Sequence, residues 1–126
     1  MKDEDFVSYE QAVRLKTAGF DWPCEAFYEH VDGKMWIAID GKENWNSGVD
    51  CSAPSLAQAA KWLREVKGIA INVIAHDGGK YDYDIVFLPN AVECDCNFDR
   101  SPWYRKYESA LSDAITTTIE LLEREG

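Results

Sequence analysis

The chain contains no apolar run near the roughly 20 residues that a membrane-crossing helix needs. Its opening, Met1-Lys2-Asp3-Glu4-Asp5, is charged, and no apolar stretch of the signal-peptide kind follows it. Secretion is therefore not expected, and a cytoplasmic location is. Basic residues are scarce: 13 Lys and Arg stand against 23 Asp and Glu, for a formal net charge of −10. A surface that holds nucleic-acid phosphates needs clustered Lys and Arg, so direct nucleic-acid binding is not expected, nor is binding to an anionic membrane. The ordinary meaning of such acidity is solubility; the sharper one is a partner protein with a basic surface. Cysteine and histidine are also few, four and two. Cysteines in a cytosolic chain are expected to be reduced.

Apolar and aromatic residues are plentiful, at 46% and 13% of the 126 residues. One domain spanning 1–126 is expected, with a real hydrophobic core and with residues 1–5 frayed.

The stretch from Ser52 to Gly68 organises the rest. Ser55 is the natural N-cap, and Gln58, three residues on, can reach back to the Ser55 N–H to complete a capping box. Pro54 sharpens the boundary. Leu56, Ala59, Ala60, Leu63 and Val66 recur at helical spacing as one apolar stripe, with Trp62 on its border. Gly68 supplies the left-handed stop and Ile69 the apolar contact after it. The same signals occur at Ser8–Gln11 and Gly19-Phe20, where Tyr9, Ala12, Val13 and Leu15 share one side. A poorer copy at Tyr107–Ala110 opens a last helix over 107–125. Its stripe is Tyr107, Ala110, Leu111, Ala114, Ile115, Thr118, Leu121 and Leu122.

Between the helices the period changes to two. Cys24–Val31 and Met35–Ile39 flank the turn Asp32-Gly33. Ile69–His76 and Tyr81–Leu88 flank Asp77-Gly78-Gly79-Lys80, with Tyr81, Tyr83, Ile85 and Phe87 on one face and Asp82 and Asp84 on the other. Asp40–Ala53 reads as a long loop with Trp45 as its anchor, and Ala91–Arg105 is irregular apart from a short strand within 91–98. The expected class is α+β: an αββαββα order, a two-layer sandwich with about four mostly antiparallel strands, and helices packed on one face. An internal α-β-β repeat over 6–39 and 52–88 is part of that expectation.

No catalytic residue and no cofactor are assigned by these patterns. Cys94-x-Cys96 is the one close cysteine pair, and with Cys24, Cys51, His30 and His76 it forms the weak candidate metal set. Zinc pairs are usually spaced by about two to four residues, so buried or reduced cysteines are the plainer reading. A histidine acting on a nucleophilic cysteine needs an orienting group that the sequence does not identify. Asp82 and Asp84 match a solvated strand face as well as they match paired carboxylates. Asp77-Gly78-Gly79-Lys80 lacks the spacing of a phosphate loop. The aromatic surplus is more informative. Trp22, Trp36, Trp45, Trp103 and Tyr104 stand near loops or strand edges and form a candidate interaction patch.

Two segments, Phe6–Lys16 ending in Gly19-Phe20-Asp21-Trp22, and Ser52–Ala59 with Lys61–Val66, resemble a family of small uncharacterised proteins of phages, prophages and mobile elements of gut anaerobic bacteria. Tyr107-Glu108-Ser109-Ala110-Leu111 resembles that family's last helix. The resemblance implies a cytoplasmic accessory protein of a mobile element and carries no activity, cofactor or site residue onto this chain. The expected function is a non-enzymatic protein-binding module with an unidentified and basic partner. The alternatives are an acidic nucleic-acid mimic that blocks a DNA-binding host protein, and a small metal or thiol enzyme.

Overall fold

A computed structural model describes residues 5–38, 41–88, 92–93 and 104–125. Ser8 holds the extended conformation of an N-cap and starts α1 (Tyr9–Thr17). Its hydroxyl accepts the Gln11 N–H at 3.1 Å, and Gln11 Oε1 accepts the Ser8 N–H at 2.8 Å. The capping box is therefore complete. Ser55 likewise accepts the Gln58 N–H at 3.1 Å and opens α2 (Leu56–Lys67). There the second half of the box is replaced: Gln58 Nε2 donates to Pro23 O at 2.8 Å. The amide ties the helix to the preceding segment instead of to its own cap. Gly68, at φ +71°, ends α2 in the left-handed conformation that the stop requires. The last helix, α3, runs over Tyr107–Glu125. Among the described residues no helix is long and apolar enough to cross a membrane.

The strands are β1 (Ala26–Tyr28), β2 (Met35–Ile37), β3 (Cys51–Ser52), β4 (Ile69–His76), β5 (Lys80–Phe87) and β6 (Val92–Glu93). The α+β class and the alternation of helices with hairpins stand. The hairpins belong to two separate antiparallel sheets, ordered β2-β1-β3 and β4-β5-β6, rather than to one shared sheet. Each sheet is completed by a short third strand that follows its own hairpin. The halves share their element order but differ in pairing: the first strand is central in one sheet and the second strand in the other.

The second hairpin has the anticipated faces. Its register pairs Ile71 with Ile85 and Val73 with Tyr83, so these side chains share the side that α3 covers. The first hairpin is shorter than its pattern. Cys24 leaves the sheet to form an isolated bridge with Glu43, and the His30 N–H binds Asp50 Oδ1 at 3.0 Å. The long loop is fixed from within by a short 3-10 helix, Trp45–Ser47. Trp45 stacks on Phe27 with centroids 4.3 Å apart and donates to Cys24 O at 3.0 Å. Asn46 donates to Phe20 O at 2.8 Å and accepts from the Ser52 N–H at 2.8 Å.

The main core lies where the three helices meet: Leu15 of α1, Trp62 and Leu63 of α2, and Ile115 and Ile119 of α3, with Phe20 beneath them. The helix stripes are rotated from their sequence reading. In α2, Trp62 is buried while Val66 is half exposed; in α1, Gln11 is buried while Tyr9 and Val13 are exposed. Each shift follows from packing against a neighbouring helix as well as a sheet, which widens the buried arc on one side. Trp62 packs edge-on against Phe20 at 5.3 Å, and Lys67 Nζ lies 5.5 Å from its ring centre.

Gln11 is the polar residue within this contact. Its two Nε2 hydrogens are shared among three acceptors on α3: Ser112 O at 2.9 Å, Ser112 Oγ at 3.1 Å and Thr116 Oγ1 at 2.8 Å. Replacing a buried hydrogen-bonded group by Ala costs about 1–3 kcal/mol. Gln11→Ala is expected to fall in the upper part of that range, because it breaks a helix cap and a helix–helix tie together. Gln58→Ala, at a half-exposed position, should cost less than Gln11→Ala. Urea unfolding of both variants, at unchanged m-value, measures the difference.

Candidate functional site

A cleft of about 830 Å³ opens between the start of α1 and the first turns of α3. One wall is Phe6, Val7, Ser8 and Tyr9. This segment is held in place because the Val7 N–H donates to Pro54 O at 3.1 Å and Phe6 bridges Ser55. Tyr28 of β1 closes the end of that wall. Its hydroxyl donates to Val7 O at 2.6 Å, and its ring meets Tyr9 edge-on at 5.5 Å. The opposite wall is α3, which lines the cleft with Glu108, Ser109, Ser112, Asp113 and Thr116. The spacing of these residues places them along one side over successive turns.

Tyr104 enters from the segment before α3. Its backbone exchanges hydrogen bonds with Tyr81 at 2.8 and 3.2 Å, and its hydroxyl donates to the Asp113 carboxylate. Burial, and the negative charge that accepts its proton, push the Tyr104 phenol well above its ordinary range.

Gln11 joins the two walls and sets the chemistry of the surface. Ser8, Ser112 and Thr116 each use a hydroxyl oxygen to accept from Gln11, which leaves their O–H groups to donate. Hydroxyl donors therefore lie beside the carboxylates of Glu108 and Asp113, within an aromatic frame of Phe6, Tyr9, Tyr28 and Tyr104. Among the described residues no lysine or arginine lines the cleft. Such a surface can accept from a cationic group and donate to a carbonyl oxygen.

The four described aromatics of the candidate patch do not form one patch. Tyr104 lines the cleft. Trp22 packs against the main core beside Phe20, at 6.4 Å. Trp36 and Trp45 share the outer face of the first sheet through Phe27, but Trp45 is engaged as the loop anchor. Trp103 lies outside the described residues. Beside Trp36 a smaller groove of about 370 Å³ is lined by Phe27, Glu29, His30, Val31, Val49 and Asp50. Val31 is 86% and Val49 69% exposed. The cleft residues Phe6, Tyr9, Tyr28, Glu108 and Asp113 have no signature in the sequence, since they come together only through the docking of α1 on α3.

The cysteine set divides as well. Cys94 and Cys96 lie outside the described residues. Cys24 and Cys51 are buried free thiols, and no group of three or more His, Cys, Asp or Glu able to hold a metal occurs among the described residues. Cys24 Sγ is 3.5 Å from Trp22 O and 3.7 Å from Gln58 Oε1, with neither histidine as a partner. Burial pushes its pKa up to about 12, so at neutral pH it is a thiol rather than a nucleophilic thiolate. His30 and His76 are exposed at the ends of their hairpins.

No family model matches the chain, and no curated protein or solved structure matches it either.

The raised pKa values give stability a direction in alkali. The neutral Cys24 thiol and Tyr104 phenol are favoured by folding, so their contribution is complete below the unfolded-state values, 9.0 for the thiol and 10.0 for the phenol. It is lost as pH rises above them, because the unfolded chain releases those protons first. Stability is expected to fall from about pH 9 upward. Cys24→Ala should flatten the lower part of that fall, and Tyr104→Phe the upper part. Thermal unfolding at a series of pH values checks both.

Proposed function

We propose that the chain is a non-enzymatic protein-binding module that takes a Lys- or Arg-bearing segment of its partner into the cleft between α1 and α3. The observation that carries this reading is the lining itself: two carboxylates, hydroxyl donors and four aromatic rings, with no cation among the described residues that form it. A cationic side chain would place its charge at Glu108 and Asp113 and its apolar stem against the rings, while the hydroxyls of Ser8, Ser112 and Thr116 would meet backbone carbonyls of the same segment. The net charge of −10 favours the encounter with a basic surface, because long-range attraction raises association rates. Given the resemblance of its helices to proteins of phages and mobile elements, the partner would be a host or phage protein of the cytoplasm.

Affinity capture from a host lysate with the wild-type chain, compared with a Glu108→Gln/Asp113→Asn double variant, tests the reading. A specific partner with a basic surface is expected, bound about 3- to 10-fold more weakly by the variant and released by added salt. Partners held equally by both proteins would overturn the assignment to the cleft.

A further inference from the structure

β2 forms one edge of its sheet. Its hydrogen bonds fix which residues face β1: the Ala38 N–H donates to Glu25 O at 2.7 Å, and the Glu29 N–H donates to Lys34 O at 2.8 Å. Lys34, Trp36 and Ala38 therefore face inward along the sheet, and the N–H and C=O groups of Met35 and Ile37 point outward. Among the described residues no strand pairs with that edge. Edge strands are usually shielded by charge, proline or a bulge, and Met35-Trp36-Ile37-Ala38 has no charge and no proline. Trp36 and Ile37 are 51% and 49% exposed. The Trp36 indole is oriented by its N–H bond to Glu29 Oε2 at 2.9 Å, and it lies directly across from Phe27, on which Trp45 is stacked.

We propose that this edge is a self-association surface, and that β2 pairs antiparallel with β2 of a second copy about a two-fold axis at Trp36. In that register Met35 of each copy exchanges backbone bonds with Ile37 of the other, so all the outward groups of the strand are used. The two Trp36 side chains face each other as a non-hydrogen-bonded pair, the closer of the two kinds. The row Trp45–Phe27–Trp36 then continues into the second copy as one aromatic ladder. Charge supports the same register. Lys34 falls opposite the small Ala38 of the second copy, and the next position across is that copy's Glu25, since Ala38 and Glu25 are hydrogen-bonded neighbours. The lysine can extend over the alanine toward the carboxylate, and the two-fold axis repeats the contact. The surface is distinct from the cleft and holds whether or not the cleft takes a basic partner.

Sedimentation equilibrium of the full chain at about 100 μM, in roughly 0.5 M salt to screen the charge on each copy, tests the association. A dimer is expected for the wild type and a monomer for Trp36→Lys with unchanged far-UV circular dichroism. The register is tested separately in a Cys94→Ser/Cys96→Ser background, where Cys24 and Cys51 are buried. Mild oxidation should cross-link Trp36→Cys, because self-opposed non-hydrogen-bonded positions bring two Cβ atoms within disulfide reach, and should cross-link Ile37→Cys far less. This second arm decides the matter even if Trp36→Lys does not fold. A monomeric wild type, a dimer that survives Trp36→Lys, or equal cross-linking at both positions would overturn the proposal.

Discussion

The amide of Gln11 sets the relation between the first and last helices. Its oxygen completes the cap of α1 and its nitrogen holds three acceptors on α3, so one side chain fixes where α1 begins and where it docks. A buried amide with its hydrogen bonds filled is tolerated in a core, and its geometry admits few alternatives. An apolar residue there would pack equally well over a range of helix rotations. The amide selects one of them, and in that arrangement Ser8, Ser112 and Thr116 line the cleft with their donors unused. The tie between the helices and the chemistry of the cleft are thus one set of hydrogen bonds.

The division into two sheets has a related origin. A single four-stranded layer would need the two hairpins to meet edge to edge. Instead α3 covers β4 and β5, with Tyr83 bonded to Thr117 at 3.1 Å, while the first sheet meets the helices mainly through β3 and α1. The three helices can then bury Leu15, Trp62, Leu63, Ile115 and Ile119 against one another. Full burial of side chains of this size is worth roughly 1.5–3 kcal/mol each. A shared sheet with all helices on one face would draw part of those stripes away from the helix–helix contact.

Local signals were legible in the sequence, and contacts between elements were not. Ser8, Ser55 and Gly68 act as their neighbours in the chain imply, and the alternation of β5 gives the faces its register confirms. Gln11 and Gln58 show the limit. They occupy equivalent positions after equivalent caps, yet one reaches back to its cap and the other to Pro23. Which bond forms depends on which backbone group arrives nearby, and that is decided by packing. The exchange of Val66 for Trp62 in the buried stripe of α2 has the same cause: two neighbours compete for one helix, and the larger ring has more to gain from burial. The candidate site was the least legible part. Of the aromatics that line the cleft, only Tyr104 stood out, because Phe6, Tyr9 and Tyr28 look like ordinary cap and strand residues until α1 is set against α3.

The period of β1 keeps the two proposed surfaces apart. Phe27 and Tyr28 are adjacent, so their side chains leave the strand on opposite faces. Tyr28 closes the cleft through its bond to Val7, and Phe27 supports Trp36 and Trp45 on the other side of the sheet. Pairing through β2 extends the sheet sideways, beyond the strand that carries Tyr28. A dimer built this way would carry two open acidic clefts related by the two-fold axis. A partner with two suitably spaced basic segments would bind it more tightly than a single cleft allows, since the second contact becomes intramolecular. Acidity works in the same direction for the partner and against the second copy, so raising the salt should weaken the one association while it strengthens the other.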